Sequence, residues 1–169
     1  MAPLARRICL TGPESTGKSE LALELGRRLE LPVIEEYARE YALGKPELTD
    51  RDVEPIARGE ITNLEAVPGP AILDTDLIST VVYARHYYGH CPEWIAGEAR
   101  RRRADFYLLM DTDVPWMDDP ARDAGGDARE DLFDAFRAAL DEFDCRWMIV
   151  SGTREERLAR ALEVRMQFE

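Results

Sequence analysis

Histidine, cysteine and long apolar runs are scarce in this sequence. Its 169 residues include two histidines and three cysteines, so His86, His90 and Cys91 have no second cluster with which to complete a four-ligand zinc site. The cysteines are odd in number and widely spaced, which is typical of buried thiols in a reducing compartment. No apolar stretch approaches the length of a transmembrane helix, and no secretory signal pattern occurs. These features predict a cytoplasmic protein without a membrane partner.

Basic residues are outnumbered by acidic ones. Lys and Arg total 22 against 34 Asp and Glu, which gives a formal net charge of -12. Such a chain repels polyanions, so we expect no nucleic-acid partner. A phosphate-bearing small molecule is repelled as well, unless a helix N-terminus, a lysine, a metal ion or converging arginines gather positive charge locally.

Short apolar runs alternate with helix-like segments, a pattern typical of a parallel sheet covered by helices on both faces. The predicted strands are Arg7–Thr11, Pro32–Glu35, Ala71–Asp74, Phe106–Met110 and Trp147–Val150. The predicted helices are Lys18–Leu31, a helix from an N-cap at Thr49 to about Ala66, Asp131–Phe143 and Arg154–Phe168. The sequence therefore predicts one α/β domain over residues 1–169, with three layers and a parallel five-stranded sheet.

The first strand is followed by a phosphate-loop motif. Residues 12–19 read GPESTGKS, which matches Gly-x4-Gly-Lys-[Ser/Thr] between a strand and a helix. Gly12 and Gly17 allow the backbone to approach phosphate closely, Lys18 adds a charge for the β- and γ-phosphates, and the Ser19 hydroxyl is a magnesium ligand. The alternative is a glycine turn with an exposed lysine.

The motif predicts a P-loop NTPase fold with ATP and Mg²⁺ as cofactors, and a Rossmann dinucleotide site is disfavoured because no Gly-x-Gly-x-x-Gly occurs. The predicted nucleotide-binding residues of the loop are Gly12, Glu14, Ser15, Thr16, Gly17, Lys18 and Ser19.

Acidic residues follow two further strands. Asp74 ends an apolar strand, as a Walker-B carboxylate near magnesium does, and Asp76 is a candidate substrate contact. Either residue could instead cap the next helix, since Asp is a favoured N-cap. Asp74 is the first choice for the metal and a catalytic role.

After the second strand, Glu36 is the leading candidate for the base that takes the proton of an attacking hydroxyl. Its neighbours Glu35, Tyr37 and Arg39 are candidate substrate contacts. The alternative is an exposed amphipathic helix in which Tyr37 and Tyr41 form an i, i+4 pair.

A segment rich in Gly, Asp and Pro indicates a short lid over about residues 116–130. Arg122 is a candidate catalytic lid residue, and Arg129 is a candidate nucleotide contact, because a guanidinium pairs with phosphate oxygens. The alternative is that these arginines pair on the surface with Asp118, Asp119 and Asp123.

Taken together, these motifs resemble the P-loop kinase domain of NadR-type proteins, the bacterial ribosylnicotinamide kinases. The segments that resemble the family are GPESTGKS (12–19), EYAREY (36–41), ILDTD (72–76) and LLMDTDVPWMDDPARD (108–123). The resemblance implies a nucleoside-kinase-like fold, Mg-ATP as donor, Lys18 and Ser19 on the nucleotide, Asp74 near magnesium or the ribose, and Arg122 in a lid.

The resemblance makes nicotinamide riboside the best expected acceptor, phosphorylated on a ribosyl hydroxyl in a step of NAD biosynthesis. Two departures accompany it: few residues precede the first strand, so an adenylyltransferase activity is not expected, and Glu35 stands where the family places an aromatic wall of the pyridinium site. No aromatic occurs in Ile56–Ala66 for a second wall. The alternatives are a kinase of another small metabolite and a nucleotide-dependent regulatory switch. The oligomeric state stays open.

Overall fold

A computed structural model describes residues 7–113 and 127–166. Its strands are β1 Arg7–Thr11, β2 Val33–Ile34, β3 Ala71–Asp74, β4 Phe106–Met110 and β5 Trp147–Val150. Its helices are α1 Lys18–Leu29, α2 Tyr37–Ala42, α3 Val53–Ala66, α4 Leu77–Tyr88, α5 Glu93–Arg101, α6 Asp127–Glu142 and α7 Arg154–Met166, and a short 3-10 turn at Asp50–Asp52 leads into α3.

The strands form one parallel sheet in the order β2-β3-β1-β4-β5. β1 lies at the centre, with Leu10 in register with Asp74 on one side and with Leu108 on the other. All carboxyl ends therefore meet at one edge, where β1 separates the loop after β3 from the loop after β4. The predicted parallel five-stranded α/β fold is confirmed.

Alternation along the buried strands builds a core on each face of the sheet. Ile8 and Leu10 of β1 pack with α1 and α7, whereas Cys9 between them packs with α3, α4 and α6. Because successive strand side chains point to opposite faces, a continuous apolar strand needs helices on both sides. The result is three layers, as predicted.

The helices α4 and α5 were not among the predicted helices, and several element bounds differ from the predictions. α1 ends at Leu29 because Glu30 takes a left-handed conformation with φ 54°, and β2 is limited to two residues. α6 begins at Asp127, four residues before the predicted start, so the last residues of the predicted lid are helical. Residues 114–126 of that lid, including Arg122, lie outside the described residues.

Thr49 caps the turn before α3 as predicted: its hydroxyl accepts a hydrogen bond from the backbone N–H of Arg51, and the carboxylate of Asp52 accepts one from the N–H of Thr49. Of the helices in the described part of the chain, none combines the length and the apolar character that crossing a membrane requires.

Candidate functional site

The phosphate loop lies between β1 and α1 and is shaped by two glycines. Gly12 has φ 129°, and a Cβ there would lie 3.1 Å from the carbonyl oxygen of Met110. Gly17 has φ 82° and is the N-cap of α1, where a glycine leaves the first N–H groups of the helix without a side-chain cap. Unsatisfied N–H groups at a helix start, with the positive end of the helix dipole, form an anion-binding site.

Two buried cations lie against this loop. The Lys18 ammonium donates to the carbonyl of Pro13 at 2.6 Å, and the Arg129 guanidinium of α6 donates to the carbonyl of Ser15 at 2.8 Å. Lys18 is 8% exposed and Arg129 5%. Burial lowers the pKa of Arg129, and the neighbouring charge of Arg157 lowers it further. The local positive charge that an acidic chain needs for phosphate is therefore present.

Arg157 of α7 is a third cation at the loop and is the first residue that sequence reasoning missed. It is 4% exposed and donates to the carbonyl of Thr16 at 3.2 Å and to that of Gly152 at 2.9 Å, and it pairs with Asp113. The guanidinium thereby ties the loop to the segments that follow β4 and β5. Only its position within α7, one turn after the helix start, could have pointed to it.

Ser19 and Asp74 form a pair suited to magnesium. The Ser19 hydroxyl donates to Asp74 Oδ2 at 2.6 Å, and Arg39 donates to the same hydroxyl oxygen at 2.9 Å. Asp74 is 4% exposed, and its Oδ1 accepts no hydrogen bond from the described residues. A buried carboxylate oxygen without a donor fits a cation ligand.

No group of three or more His, Cys, Asp or Glu side chains in residues 7–113 and 127–166 is arranged to hold a metal ion. Magnesium beside a nucleotide does not need one, because it is held by one or two protein ligands together with water and phosphate oxygens.

A strained turn separates Asp74 from Asp76. Thr75 has φ 65°, which is uncommon for a β-branched residue, and its N–H donates to the carbonyl of Leu10 at 2.9 Å. The turn directs Asp74 towards the phosphate loop and lets Asp76 cap α4, where its Oδ1 accepts from Ile78 N at 3.0 Å. The capping alternative for Asp76 is therefore confirmed.

Asp76 also accepts a hydrogen bond from the Tyr107 hydroxyl at 2.5 Å. Burial raises the pKa of its carboxyl to about 6, and the hydrogen bond from Tyr107 opposes that shift.

Glu36 immediately precedes α2 and lies near both the loop and the metal pair. Its side chain is 20% exposed, and Arg39 lies 3.4 Å from its Oε2. Burial raises the pKa of Glu36, the charge of Lys18 opposes the rise, and Asp74 adds to it. A carboxyl with a raised pKa is better matched to accepting a proton near neutral pH.

A cavity of about 160 Å³ adjoins the loop between α2, α3 and α4. Its lining combines carboxyl groups with tyrosines of α4, among them Glu14, Glu36, Glu60, Asp76, Tyr83 and Tyr87. Glu14 belongs to the phosphate loop, and Glu36 is the candidate base. The cavity thus borders the donor site directly.

Glu60 of α3 is the second residue that sequence reasoning missed. It is 2% exposed; its Oε2 accepts from the backbone N–H of Tyr37 at 3.2 Å, and its Oε1 accepts no hydrogen bond from any described residue. Its pKa is raised to about 8, mainly by burial; the charges of Asp76, Glu36 and Asp74 contribute to the rise, and the hydrogen bond from Tyr37 opposes it. The available signal was an acid in the buried stripe of α3, four residues from Ile56 and from Leu64.

Three predicted substrate contacts lie elsewhere. Glu35 is exposed. Arg39 donates hydrogen bonds to Ser19 and Glu36. Tyr37 packs against Gly59 of α3, and its ring centroid lies 6.1 Å from that of Tyr41. None of the three is among the cavity-lining residues of the described chain, whereas Asp76 is. The Tyr37 and Tyr41 pair matches the amphipathic-helix alternative.

A second, larger cavity of about 870 Å³ lies on the other side of the loop. It is lined by Thr16 and Gly17, by Met110 after β4, and by Gly152 and Thr153 after β5.

Comparison with curated proteins finds NadR relatives. The trifunctional NAD biosynthesis/regulator protein NadR of Salmonella typhimurium is 28% identical over 137 residues, covering 76% of this chain and 33% of that protein. The corresponding NadR of Escherichia coli is 29% identical over 129 residues, covering 71% and 32%. The chain therefore spans about a third of the length of these curated relatives.

Solved structures with the same fold include NadR and a nucleotide kinase. A NadR protein in complex with NR has a TM-score of 0.72 at 24% identity, and one in complex with NAD and AMP-PNP has 0.71 at 25%; each alignment covers 97% of this chain and 49% of the other. Thymidylate kinase from Ehrlichia chaffeensis has a TM-score of 0.70 at 14% identity, covering 97% and 98%. The predicted P-loop kinase fold and the resemblance to NadR proteins are confirmed.

A family model described as an AAA domain matches residues 7–157. The match begins with β1, includes the phosphate loop, Asp74 and Arg129, and ends at Arg157, so it contains every cation placed on the loop above. The chain belongs to this AAA-domain family.

Proposed function

We propose that this protein is an ATP-dependent kinase that transfers the γ-phosphate to a ribosyl hydroxyl of a small metabolite, with nicotinamide riboside as the acceptor. The observation that carries the proposal is the position of Glu36. It lies within electrostatic reach of Lys18 and Asp74 on the donor side, and it lines the cavity on the other side. A base between a nucleotide site and an acceptor cavity is what transfer to a hydroxyl requires.

The donor side supports ATP. The α1 N-terminus and Lys18 would hold the β- and γ-phosphates, and Arg129 and Arg157 would add charge around the loop. Ser19 and Asp74 would hold magnesium, which supplies positive charge to the phosphate oxygens. The cavity lined by Gly152 and Thr153 would take the base of the nucleotide.

The acceptor side supports a cationic riboside. The carboxyl groups of the 160 Å³ cavity attract positive charge, and the rings of Tyr83 and Tyr87, stacked 5.9 Å apart, offer faces on which an aromatic ring can lie. These tyrosines of α4 would replace the aromatic walls that the sequence lacks at Glu35 and in α3. The NadR relatives act in NAD biosynthesis, and one related structure contains NR, which fits this acceptor.

In the proposed reaction the ribosyl oxygen forms a bond to the γ-phosphorus, the bond from that phosphorus to the bridging oxygen breaks, and ADP leaves. Glu36 takes the hydroxyl proton, while Lys18 stabilises the charge on the transferred group. Arg122, which lies outside the described residues, stays a prediction for closing the site over the phosphates.

The test is ADP release in the presence of Mg-ATP and a panel of ribosides and nucleosides. We expect the highest turnover with nicotinamide riboside. Glu36→Gln should lower kcat by about a hundredfold or more with little change in Mg-ATP affinity, and Lys18→Ala should abolish nearly all turnover while the fold is kept.

Glu40→Gln is the matched control, because Glu40 is an exposed acid on the same short helix. Equal ATP turnover with and without every acceptor would refute the proposal.

A further inference from the structure

Glu60 is a buried acid at the acceptor cavity with one oxygen unused. It lies in the apolar stripe of α3, is 2% exposed, and lines the cavity between α2, α3 and α4. Its Oε2 accepts the N–H of Tyr37, and no donor of the described chain reaches its Oε1. Since buried carboxyl oxygens are normally paired, an unused one on a residue that lines a cavity points to a partner supplied by a ligand.

We propose that Glu60 recognises a positively charged acceptor: Oε1 takes the charge of the ligand, while Oε2 holds the peptide that positions Glu36. The proposal rests on the proposed function, because it assigns a residue to the acceptor side of that same site. It adds a carboxylate on α3 to the machinery and a linkage between acceptor charge and proton release.

The positioning part follows from the contact with Tyr37. Tyr37 is the first residue of α2, and Glu36 is its N-cap. The 3.2 Å hydrogen bond from Tyr37 N to Glu60 Oε2 therefore fixes the backbone next to the candidate base. The helix has no buried residues, so this bond helps to orient Glu36 together with the packing of Tyr37 against Gly59 and the contact of Arg39 with Glu36.

The recognition part follows from the charges that face Glu60. Asp76 and Asp74 at the end of β3 and Glu36 before α2 are all acidic, and the Cys9 thiol of β1 also faces it. Burial raises the pKa of Glu60 to about 8, so near neutral pH its carboxyl holds a proton. That proton resides on Oε1, because Oε2 accepts the N–H of Tyr37.

A cation in the cavity shifts the protonation equilibrium of Glu60 towards the carboxylate. Its charge favours the carboxylate, so the Oε1–H bond breaks, the proton passes to the buffer, and the carboxylate remains beside the cationic ligand. A neutral ligand of the same shape leaves the proton on Glu60. Binding of a cation should therefore release a proton in the neutral pH range, and binding of its neutral counterpart should not.

The experiment is titration calorimetry of the full chain in two buffers of different ionisation enthalpy. The ligands are nicotinamide riboside, which is cationic, and its dihydro form, which is neutral. For the wild type we expect proton release with the cation alone. Glu60→Gln should abolish the proton release and lower the affinity for the cation by about tenfold or more. The affinity for the neutral riboside should change little.

Glu65→Gln is the matched control, since it makes the same chemical change on the same helix at an exposed acid that pairs with Arg102. It should behave as the wild type. Mg-ATP affinity checks that Glu60→Gln is folded, and the amide oxygen of Gln can still accept the N–H of Tyr37.

Equal proton release with both ribosides, no release with either, no binding of the cation, or undiminished cation affinity in Glu60→Gln would overturn the proposal. The kinase proposal fails separately. If the cation binds with Glu60-dependent proton release but no ADP forms, Glu60 keeps its role and the reaction is wrong. If phosphoryl transfer proceeds and Glu60→Gln releases the proton as before, the reaction stands and the role of Glu60 is wrong.

Discussion

Replacing Glu60 by Gln should make the stability of the free protein less dependent on pH. The carboxyl is buried and has a pKa of about 8 in the fold against an ordinary value of 4.5. Between these values the folded state binds a proton that the unfolded state has released. Stability from this group is therefore complete below about pH 4.5 and is lost as the pH rises through about 8.

The magnitude follows from the width of that window. One proton contributes about 1.4 kcal/mol per pH unit, so the full shift corresponds to about 5 kcal/mol. Between about pH 6 and pH 7.5 the wild type should lose about 2 kcal/mol through Glu60 alone. That is a large share of the total stability of an ordinary domain, about 5 to 15 kcal/mol.

The measurement is urea unfolding of the wild type, Glu60→Gln and Glu65→Gln across that pH range. The difference between the wild type and Glu60→Gln should fall steadily with rising pH, because the other titrating groups contribute to both proteins. Glu65→Gln should run parallel to the wild type, since an exposed acid has little influence on the slope. Parallel lines for the wild type and Glu60→Gln would show that the buried carboxyl does not carry the proton, and the reasoning would fail.

Three further predictions test the site and the packing around it. Asp74→Asn should raise the magnesium concentration for half-maximal ATP turnover by about tenfold or more, because an amide is a weaker ligand than a carboxylate; an unchanged magnesium requirement would remove Asp74 from the metal. Tyr107→Phe removes the hydroxyl that binds the carboxylate capping α4, and should cost about 1 to 3 kcal/mol in urea unfolding; wild-type stability would contradict that. Gly59→Ala places a Cβ 1.9 Å from the ring of Tyr37 and should destabilise the protein, whereas Gly97→Ala meets nothing within 4 Å and should stabilise its helix by about 0.5 to 1 kcal/mol; equal thermal midpoints for the two variants would be inconsistent with the packing.

Local pattern was enough to predict most of the fold. Four of the five strands, β1, β3, β4 and β5, have the predicted bounds because each is a short apolar run closed by polar residues. β2 lies at the sheet edge, where only Val33 and Ile34 pair with β3. The predicted strand was therefore too long, because it was drawn from the apolar residues and not from the pairing. The start of α6 was missed because its first turn is polar, although acidic residues there suit the positive end of a helix.

The residues of the candidate site were predictable where they belong to a motif of consecutive residues or stand at a recognisable place, such as the end of a strand. The spacing of residues 12–19 was sufficient to locate the phosphate loop. Arg157 and Glu60 lie in ordinary helical contexts, and their partners are 141 and 23 residues away in the chain. Such residues acquire a role only when the sheet brings their helices to the loop, so the local signals for them, an acid in the buried stripe of α3 and a position one turn into α7, are weak.

The positions of the charged side chains in the fold explain how a chain of net charge -12 can offer a site for a triphosphate. Lys18, Arg129 and Arg157 are concentrated on the phosphate loop, whereas the carboxyl groups of Glu36 and Glu60 lie on the cavity beside it. Charges beyond about 8 to 10 Å are largely screened at physiological salt, so each ligand responds mainly to its nearest side chains. The proposed anionic donor and cationic acceptor would therefore bind next to each other, where their mutual attraction would stabilise the pair. For this protein the distribution of charged side chains around one edge of the sheet, and not the net charge of the chain, determines which ligands can bind side by side.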